Sequence, residues 1–282
     1  MTAVVLALAS AALFGAMTVS LRYALEHGAE ADLAAFFTVA TALLVALVAA
    51  TVSWSWRLGD AWPFALAGVL GPGLSQTLFT LGVRRAGPSR ASMTVGTAPL
   101  FSVAIALVFL GEPAVAGVVA GAVLIVAGGV LLALERDRPA HVARSGLLLA
   151  LGSTIVFATR DNLVRHLALG TEAPPTLAAA ATLAGGAVTI GAFVLARRAR
   201  LHAGQLRPYL PAGVAFGLSY VCLFEAFYRG RVSVVTPLVA TESLWGVGLS
   251  ALLLRRHELV GPRLALAALL VVSGGALIGV FR

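Results

Sequence analysis

Long apolar stretches alternate with short polar gaps along the whole chain. Each stretch is about 20 residues long, the length that an α-helix needs to cross the hydrocarbon core of a bilayer. Charged residues, prolines and glycines interrupt the pattern between the stretches. The pattern predicts ten transmembrane helices, at about 3–24, 33–53, 62–82, 89–110, 114–134, 145–166, 176–196, 209–228, 233–254 and 261–281.

We predict helices because a bilayer offers no water to unpaired backbone groups, so that only helices and closed barrels cross it. Barrel strands alternate apolar and polar residues, and residues 118–134 show no such alternation. The first stretch is also considered as a signal peptide, but residues 1–5 carry no basic side chain and the stretch is long enough to span. We therefore expect an all-α integral membrane protein whose first helix is a span.

The composition leaves no room for a sizeable soluble domain. Hydrophobic residues make up 60% of the 282 residues and charged residues 11%, against roughly 45–50% and 25% in soluble domains. The formal net charge is +8, but every basic residue is an arginine and most lie in the gaps. Arginines in that position indicate topology at the lipid headgroups rather than nucleic-acid binding.

The sequence lacks the motifs of familiar catalytic and metal sites. Cys222 is the single cysteine, which excludes a disulfide framework and a cysteine-based metal cluster. The five histidines lie in or beside gaps without ligand spacing, and no phosphate-binding loop, serine-hydrolase elbow or HExxH motif occurs. We therefore expect no enzyme, no cofactor and no metal site.

The two halves of the chain are similar to each other. When residues 71–110 are set against 215–254, ten of the forty positions are identical. The polar matches are Ser75/Ser219, Arg85/Arg229, Ser89/Ser233 and Thr97/Thr241. Offsets of 143 and 146 residues extend the similarity to Ser10/Ser153, Arg22/Arg165 and Glu112/Glu258.

This similarity predicts two five-helix repeats, at 3–134 and 145–281. Because five is an odd number, the second repeat starts from the opposite side of the membrane. Inverted repeats of this kind are typical of secondary transporters, which bind their substrate near the midplane between the repeats.

Short motifs recur at corresponding places in both repeats. In the first they are Gly87-Pro88-Ser89, Ala98-Pro99-Leu100-Phe101, Leu110-Gly111-Glu112-Pro113 and Gly128-Gly129. In the second they are Ser233-Val234-Val235-Thr236-Pro237-Leu238, Glu258 and Gly274-Gly275. In order, spacing and duplication these motifs resemble those of the EamA family of the drug/metabolite transporter superfamily. The resemblance covers nearly the whole chain and implies a metabolite carrier, often an exporter of amino acids or related small solutes.

Two charged residues are the main candidates for transport chemistry. Glu242 replaces Ala98 of the first repeat and lies about ten residues into the predicted ninth helix, near the bilayer centre. Intramembrane charges are costly and therefore indicate function, so we interpret Glu242 as a proton carrier or a partner for a cationic substrate group; the alternative is a structural carboxyl. Arg160, toward the end of the sixth helix, shares a face with Ser153 and Phe157. It is expected to bind a substrate carboxylate or to counter Glu242, unless it snorkels to the interface.

Other polar residues are expected to line the same midplane cavity, between helices 1, 3, 4, 6, 8 and 9. Gln76 and Tyr220 occupy equivalent positions in the two repeats, which favours opposite walls of a shared cavity; helix-to-helix hydrogen bonds are the alternative. Thr97, Thr241 and Trp245 are expected to contribute at that depth, Trp245 as a stacking wall unless it belongs to the core.

Several charged residues have a local structural explanation. Glu225 is a weaker cavity candidate because Arg229, four residues later, explains it as an ion pair on one helix face. The same spacing predicts a pair between Asp161 and Arg165.

Proline and glutamate positions predict a kink and two helix caps. Pro99 removes a backbone hydrogen bond within the fourth helix and is expected to permit a kink there. Glu112 and Glu258 precede the fifth and tenth helices, where a carboxylate favours the amino end of a helix.

Together these features predict a secondary transporter that moves small polar or amphipathic metabolites, amino-acid-like solutes first, by alternating access and in the export direction. The alternatives are a multidrug or organic-cation efflux carrier, a passive channel and a membrane-embedded enzyme. The expected partners are a small-molecule substrate and the lipid bilayer. We expect a monomer in a prokaryotic inner or plasma membrane.

Arginine counts predict the orientation. With a cytoplasmic amino end, five gap arginines would lie inside and fourteen outside. Because arginines accumulate on the cytoplasmic side, the counts favour both termini outside.

Overall fold

The computed structural model describes residues 2–26, 31–53, 56–86, 94–95, 97–133, 144–197, 205–253 and 262–281. Throughout these ranges the backbone forms helices and short connections and no strand, which confirms the all-α prediction. The helices are α1 Thr2–Glu26, α2 Ala31–Val52, α3 Leu58–Gly68, α4 Gln76–Ala86, α5 Ala98–Phe109, α6 Ala116–Ala133, α7 Arg144–Gly170, α8 Pro175–Ala196, α9 Leu210–Arg229, α10 Val232–Val239, α11 Glu242–Leu253 and α12 Pro262–Phe281.

Many of these helices have the length and apolarity of membrane spans. The five that are long enough by themselves are Thr2–Leu21, Leu33–Val52, Arg144–Gly170, Pro175–Ala196 and Arg207–Arg229. Three shorter apolar helices are Ala98–Phe109, Ala116–Leu131 and Leu266–Phe281. The chain is thus a multi-pass membrane protein.

The third predicted span is a helix with a π-helical segment in its middle. The segment Val69–Ser75 joins α3 to α4 and contains Pro72. Proline has no backbone N–H, so it removes one helical hydrogen bond and favours an irregular turn. The hydroxyl of Ser75 donates to the carbonyl oxygen of Gly71, and that of Thr77 donates to Gly73 at 2.9 Å.

The ninth predicted span is broken, where the sequence pattern predicted one helix over 233–254. The segment α10 ends at Val239 and α11 begins at Glu242. Between them, the hydroxyl of Thr241 donates to the carbonyl oxygen of Leu238 at 2.7 Å, while the carbonyl oxygen of Thr241 accepts from Leu244 N at 3.0 Å. Thr241 therefore closes one half-helix and starts the other.

Thr97 makes the same local turn before α5. Its hydroxyl donates to the carbonyl oxygen of Thr94 at 2.6 Å, and its carbonyl oxygen accepts from Leu100 N at 3.0 Å. Pro99 is the second residue of α5, not an interior residue of a longer helix. Its missing N–H is tolerated in a first turn, so the expected kink is replaced by a helix start. Residues 89–93 and 96 of this predicted span lie outside the described residues.

Close crossings join the first half of the chain to the second. The helix α1 packs along α9, α4 along α7, and α6 along α12. At the last crossing the backbones of Gly121 and Gly274 face each other, since a Cβ on Gly121 would lie 2.6 Å from the oxygen of Gly274. Because glycine has no side chain, these two residues allow the helices to pack closely.

Serine hydroxyls form hydrogen bonds at the two other crossings. Ser10 of α1 donates to the carbonyl oxygen of Ser219 in α9 at 3.0 Å, and Ser219 donates back to that of Ser10 at 2.9 Å. Ser153 of α7 donates to the carbonyl oxygen of Ser75 at 2.7 Å. All four are at most 3% exposed, so these bonds tie helices together inside the protein.

Candidate functional site

Arg160 is completely buried in the protein interior. Its exposed fraction is 0%, although arginine is among the residues least often buried. Because α7 runs from Arg144 to Gly170, Arg160 stands about 24 Å from one end and about 15 Å from the other, at 1.5 Å per residue. The helix is longer than predicted, so Arg160 is central rather than near an end, and it does not snorkel to an interface.

Aromatic rings and a glycine surround the guanidinium. Its central carbon lies 4.4 Å from the ring centre of Phe157 and 5.3 Å from that of Tyr220, distances at which a cation is attracted by the ring face. The side chain also lies against Gly71 in the π-helical segment, where a Cβ would come within 3.0 Å of Arg160 Nε. The chain thus brings residues of α3–α4, α7 and α9 to one point.

Asp161 supplies the countercharge. Its Oδ1 atom lies 3.1 Å from the nearest guanidinium nitrogen of Arg160, and its exposed fraction is 5%. The expected pair between Asp161 and Arg165 is wrong, because Arg165 instead donates to the carbonyl oxygens of Phe227 and Tyr228. Glu242 does not counter Arg160 in this conformation, because the ion pair of Arg160 among the described residues is the one with Asp161.

The buried polar groups of this site have unused hydrogen-bonding capacity. Within the described ranges, the three nitrogens of the Arg160 side chain, Asp161 Oδ1 and Asn162 Oδ1 have no hydrogen-bond partner. The amide nitrogen of Asn162 is engaged, since it donates to the carbonyl oxygen of Ser102 in α5 at 3.0 Å. A buried polar group without a hydrogen-bond partner costs about 1–3 kcal/mol. A polar ligand that supplies the missing partners therefore gains binding free energy at this site.

Sequence reasoning missed the aromatic stripe that leads to Arg160. Phe216, Tyr220 and Phe224 follow one another at four-residue spacing along α9, so they lie on one helix face. The ring centres of Phe216 and Tyr220 are 4.7 Å apart, those of Tyr220 and Phe224 5.7 Å, and Phe14 of α1 lies 5.5 Å from Phe216. The four-residue spacing of these aromatic residues in the sequence could have identified this face of α9.

The other polar cavity candidates lie at helix irregularities. Tyr220 is 1% exposed and contacts the Arg160 site, whereas Gln76 is half-buried directly after the π-helical segment. Thr97 and Thr241 use their hydroxyl hydrogens within the backbone turns described above. Their observed contribution is to shape the helix starts.

Glu242 and Trp245 lie on α11 and both have accessible side chains. Glu242 is the first residue of α11 and its side chain is exposed. Trp245 is 44% exposed, so it is not a core residue, and it packs beside Gly15 of α1. Glu225 pairs with Arg229, which confirms the local explanation of that carboxylate.

Glu112 caps a helix, but a different one from that predicted. Its two carboxylate oxygens accept hydrogen bonds from Val232 N at 2.8 Å, from Ser233 N at 3.0 Å and from the Ser233 hydroxyl at 2.5 Å. These donors are at the start of α10, so Glu112 caps that helix in the other half of the chain and not α6. The equivalent Glu258 lies outside the described residues.

Comparison with known families places both halves of the chain in one family description. The model of the "EamA-like transporter family" matches residues 1–134 and again residues 144–280. The two matches together cover nearly the whole sequence, and the gap between them coincides with the polar stretch at the centre of the chain.

Two further similarities concern single proteins. A protein of Streptantibioticus cattleyicolor named "Probable terminal-alkyne amino-acid exporter" is 29% identical over 116 residues, which are 40% of this chain and 39% of that relative. The match therefore spans less than half the relative's length. A solved crystal structure superposes with a TM-score of 0.84 at 17% identity and covers 99% of this chain and 96% of the other. At that identity the likeness shows the fold alone.

Proposed function

Because this chain belongs to the EamA-like transporter family, we propose that it is a secondary transporter of small amphipathic metabolites, amino-acid-like solutes first, working by alternating access and exporting its substrate. We further propose ten spans arranged as two inverted five-helix repeats, at 3–134 and 145–281. The family identifies a transporter and not an enzyme. The observation that carries the proposal is Arg160, a fully buried cation held between Gly71 of the first half and Tyr220 of the second.

Repeat-related residues make equivalent contacts, which supports the two-repeat arrangement. The sequence repeat pairs Ser10 with Ser153 and Ser219 with Ser75, and these serines bond as Ser10–Ser219 and Ser153–Ser75. Each bond thus joins one half of the chain to the other, as a twofold relation between the halves requires. Thr97 and Thr241, also a matched pair, make the same turn.

Contacts between the polar gaps support the proposed ten-span topology. In a ten-span chain, every second gap lies on the same side of the membrane. Arg57, before the third span, pairs with Glu172, after the sixth. Glu112, between the fourth and fifth spans, binds Val232 and Ser233 at the start of the ninth. Both contacts join gaps that the proposed topology puts on one side.

The helix breaks are consistent with a carrier whose binding site opens alternately to the two sides of the membrane. Transporters of this architecture use discontinuous helices near the midplane, where free backbone groups bind substrate or ions. Here the break at 240–241 and the π-helical segment Val69–Ser75 occur in the two halves. We propose that the hydrogen bonds of Glu112 to the start of α10 close the protein on one side of the membrane in the described conformation. Rocking of the two halves then breaks these bonds.

Organic-cation efflux is the second candidate function, and one observation favours it. The carboxylate of Glu242 is exposed at the helix break, where a cation or a proton can reach it. In the first proposal Glu242 carries the coupling proton; in the second it binds the substrate itself. The amino-acid proposal ranks first because the Arg160 site offers donors for an anionic group.

Purified protein in proteoliposomes tests the proposal. A thermal-shift screen against amino acids, nucleosides, sugars and amines identifies the solute class that stabilises the fold. Counterflow then measures uptake of a labelled solute against an internal excess of the same solute. We expect stabilisation by amino acids and counterflow of the stabilising solute. Counterflow without any amino-acid response contradicts the substrate class, and simple equilibration without counterflow contradicts a carrier.

A further inference from the structure

Arg160 and Asp161 are oppositely charged neighbours in the interior, and both have unused hydrogen-bonding groups. Their charged atoms lie 3.1 Å apart, and their exposed fractions are 0% and 5%. In the described part of the chain, the guanidinium nitrogens and Asp161 Oδ1 have no hydrogen-bond partner. A buried ion pair that serves stability alone needs additional hydrogen bonds to offset its desolvation, and within the described ranges these four atoms make none.

We propose that Arg160 and Asp161 together bind the zwitterionic group of an α-amino acid, an inference that rests on the transporter function proposed above. The guanidinium donates two parallel hydrogen bonds to the substrate carboxylate, the geometry that arginine favours. Asp161 Oδ1 accepts a hydrogen bond from the substrate ammonium group. The residue pair and the ligand are each neutral overall, so that loading the site adds no net buried charge.

The walls of the site select an apolar side chain. The rings of Phe157 and Tyr220 flank the guanidinium, and the aromatic stripe of α9 continues from Tyr220 to Phe216 and Phe224. A substrate anchored on Arg160 therefore places its side chain among rings, where apolar and aromatic groups gain most from burial.

Gly71 holds the guanidinium in position. A Cβ at residue 71 would lie 3.0 Å from both Cγ and Nε of Arg160, closer than ordinary van der Waals contact. The absence of a side chain there lets the arginine lie flat against the π-helical segment. Gly71 is a positioning residue, and Gly71→Ala is expected to weaken substrate binding by shifting the guanidinium.

Three ligands with the same phenyl group separate the two charges. L-phenylalanine carries both, 3-phenylpropanoate lacks the ammonium group and 2-phenylethylamine lacks the carboxylate. We expect the wild-type protein to bind phenylalanine at least about tenfold more tightly than either analogue, because each lost charge-assisted bond leaves a buried partner unmet. Equal affinity for all three ligands would overturn the inference without any variant.

Variants assign each charge to its residue. Arg160→Gln is expected to weaken phenylalanine binding about ten- to a hundredfold and to abolish the preference over 2-phenylethylamine. Asp161→Asn is expected to abolish the preference for phenylalanine over 3-phenylpropanoate. Arg160→Lys keeps a positive charge and is expected to retain part of the preference over 2-phenylethylamine. Glu172→Gln, which alters an exposed charge, is the matched control and is expected to bind like the wild type.

The ligand preferences distinguish this inference from the proposed function. If the wild type exchanges amino acids and both variants keep its preferences, the zwitterion site is wrong and the transporter function stands. If the wild type neither binds nor exchanges any amino acid, the proposed function fails and the inference falls with it. A variant that folds poorly is recognised by aggregation on size exclusion, and the wild-type ligand series then decides.

Discussion

Ser10 and Ser219 donate their hydroxyl groups to each other's backbone carbonyl oxygens, across the crossing of α1 and α9. The two hydroxyl oxygens are themselves 2.9 Å apart. Ser153, which aligns with Ser10 in the sequence, donates to the backbone of Ser75, which aligns with Ser219. A hydrogen bond from a serine hydroxyl to a backbone carbonyl oxygen therefore joins the two halves of the chain at both crossings.

Removing these hydroxyls should weaken the crossing by a modest and coupled amount. Ser10→Ala and Ser219→Ala are each expected to lower the free energy of unfolding by about 0.6–1.7 kcal/mol, the range for hydrogen bonds between membrane helices. Because the two hydroxyl oxygens lie only 2.9 Å apart at one crossing, the two substitutions are coupled and the double variant should cost less than the sum of the singles. Reversible unfolding in mixed micelles measures all three, and strict additivity would contradict the coupling.

The Glu112 cap should contribute more to stability than the ion pair between Glu225 and Arg229 within one helix. Glu112→Ala leaves the N–H groups of Val232 and Ser233 without their acceptor, at a cost of about 1–3 kcal/mol. Glu225→Gln breaks only the ion pair with Arg229, which is worth about 0.3–0.5 kcal/mol. The melting temperature in detergent should fall clearly for the first variant and little for the second. Equal effects would contradict the cap.

The exposed ion pair between Arg57 and Glu172 should be nearly neutral. Their side chains are 58% and 76% exposed, so that solvent and salt screen the attraction. Glu172→Gln is expected to change stability by less than about 1 kcal/mol, with the difference vanishing in high salt. A large loss of stability that persists in high salt would show that this contact holds the two halves together.

The sequence predicted the helices well because their signal is local. Apolar length determines where spans such as α2 and α8 begin and end, and a chain without the alternation of barrel strands crosses a bilayer as helices. The break at Thr241 was not predictable from hydropathy, since residues on both sides are apolar. It depends on a side-chain hydrogen bond to Leu238 and on Pro237 beside it.

The candidate site was predicted only in part because partners come from distant parts of the chain. Arg160 and Tyr220 were recognised as unusual polar residues in spans. The partner of Arg160 was mistaken because spacing favours Asp161 with Arg165, whereas among the described residues Asp161 pairs with Arg160. The helix that Glu112 caps was also mistaken because its hydrogen-bond donors are distant in sequence, Ser233 being 121 residues away.

Orientation remains a prediction of the arginine counts, which favour both termini outside. A reporter that is active only in the cytoplasm, fused to the carboxy terminus, is expected to stay silent there. A second reporter that is active only outside should give signal from the same position. Strong cytoplasmic activity would contradict the arginine-based prediction and leave the fold unaffected.

Glu242→Gln separates proton coupling from substrate binding. The amide keeps the size of the side chain but cannot take up or release a proton, so uphill transport should be lost while exchange of substrate continues. Counterflow driven by an internal substrate excess measures that exchange. Loss of both activities in a well-folded variant would favour direct substrate binding by Glu242, as in organic-cation efflux.

We propose that the chain drives a solute uphill through a site that opens to one side at a time. The most direct measurement is the flux of labelled phenylalanine in proteoliposomes when a pH gradient is imposed at equal solute concentrations. We expect accumulation against the solute gradient in the wild type, and none in Glu242→Gln. Flux that only equilibrates the solute, unchanged by the pH gradient, would contradict it.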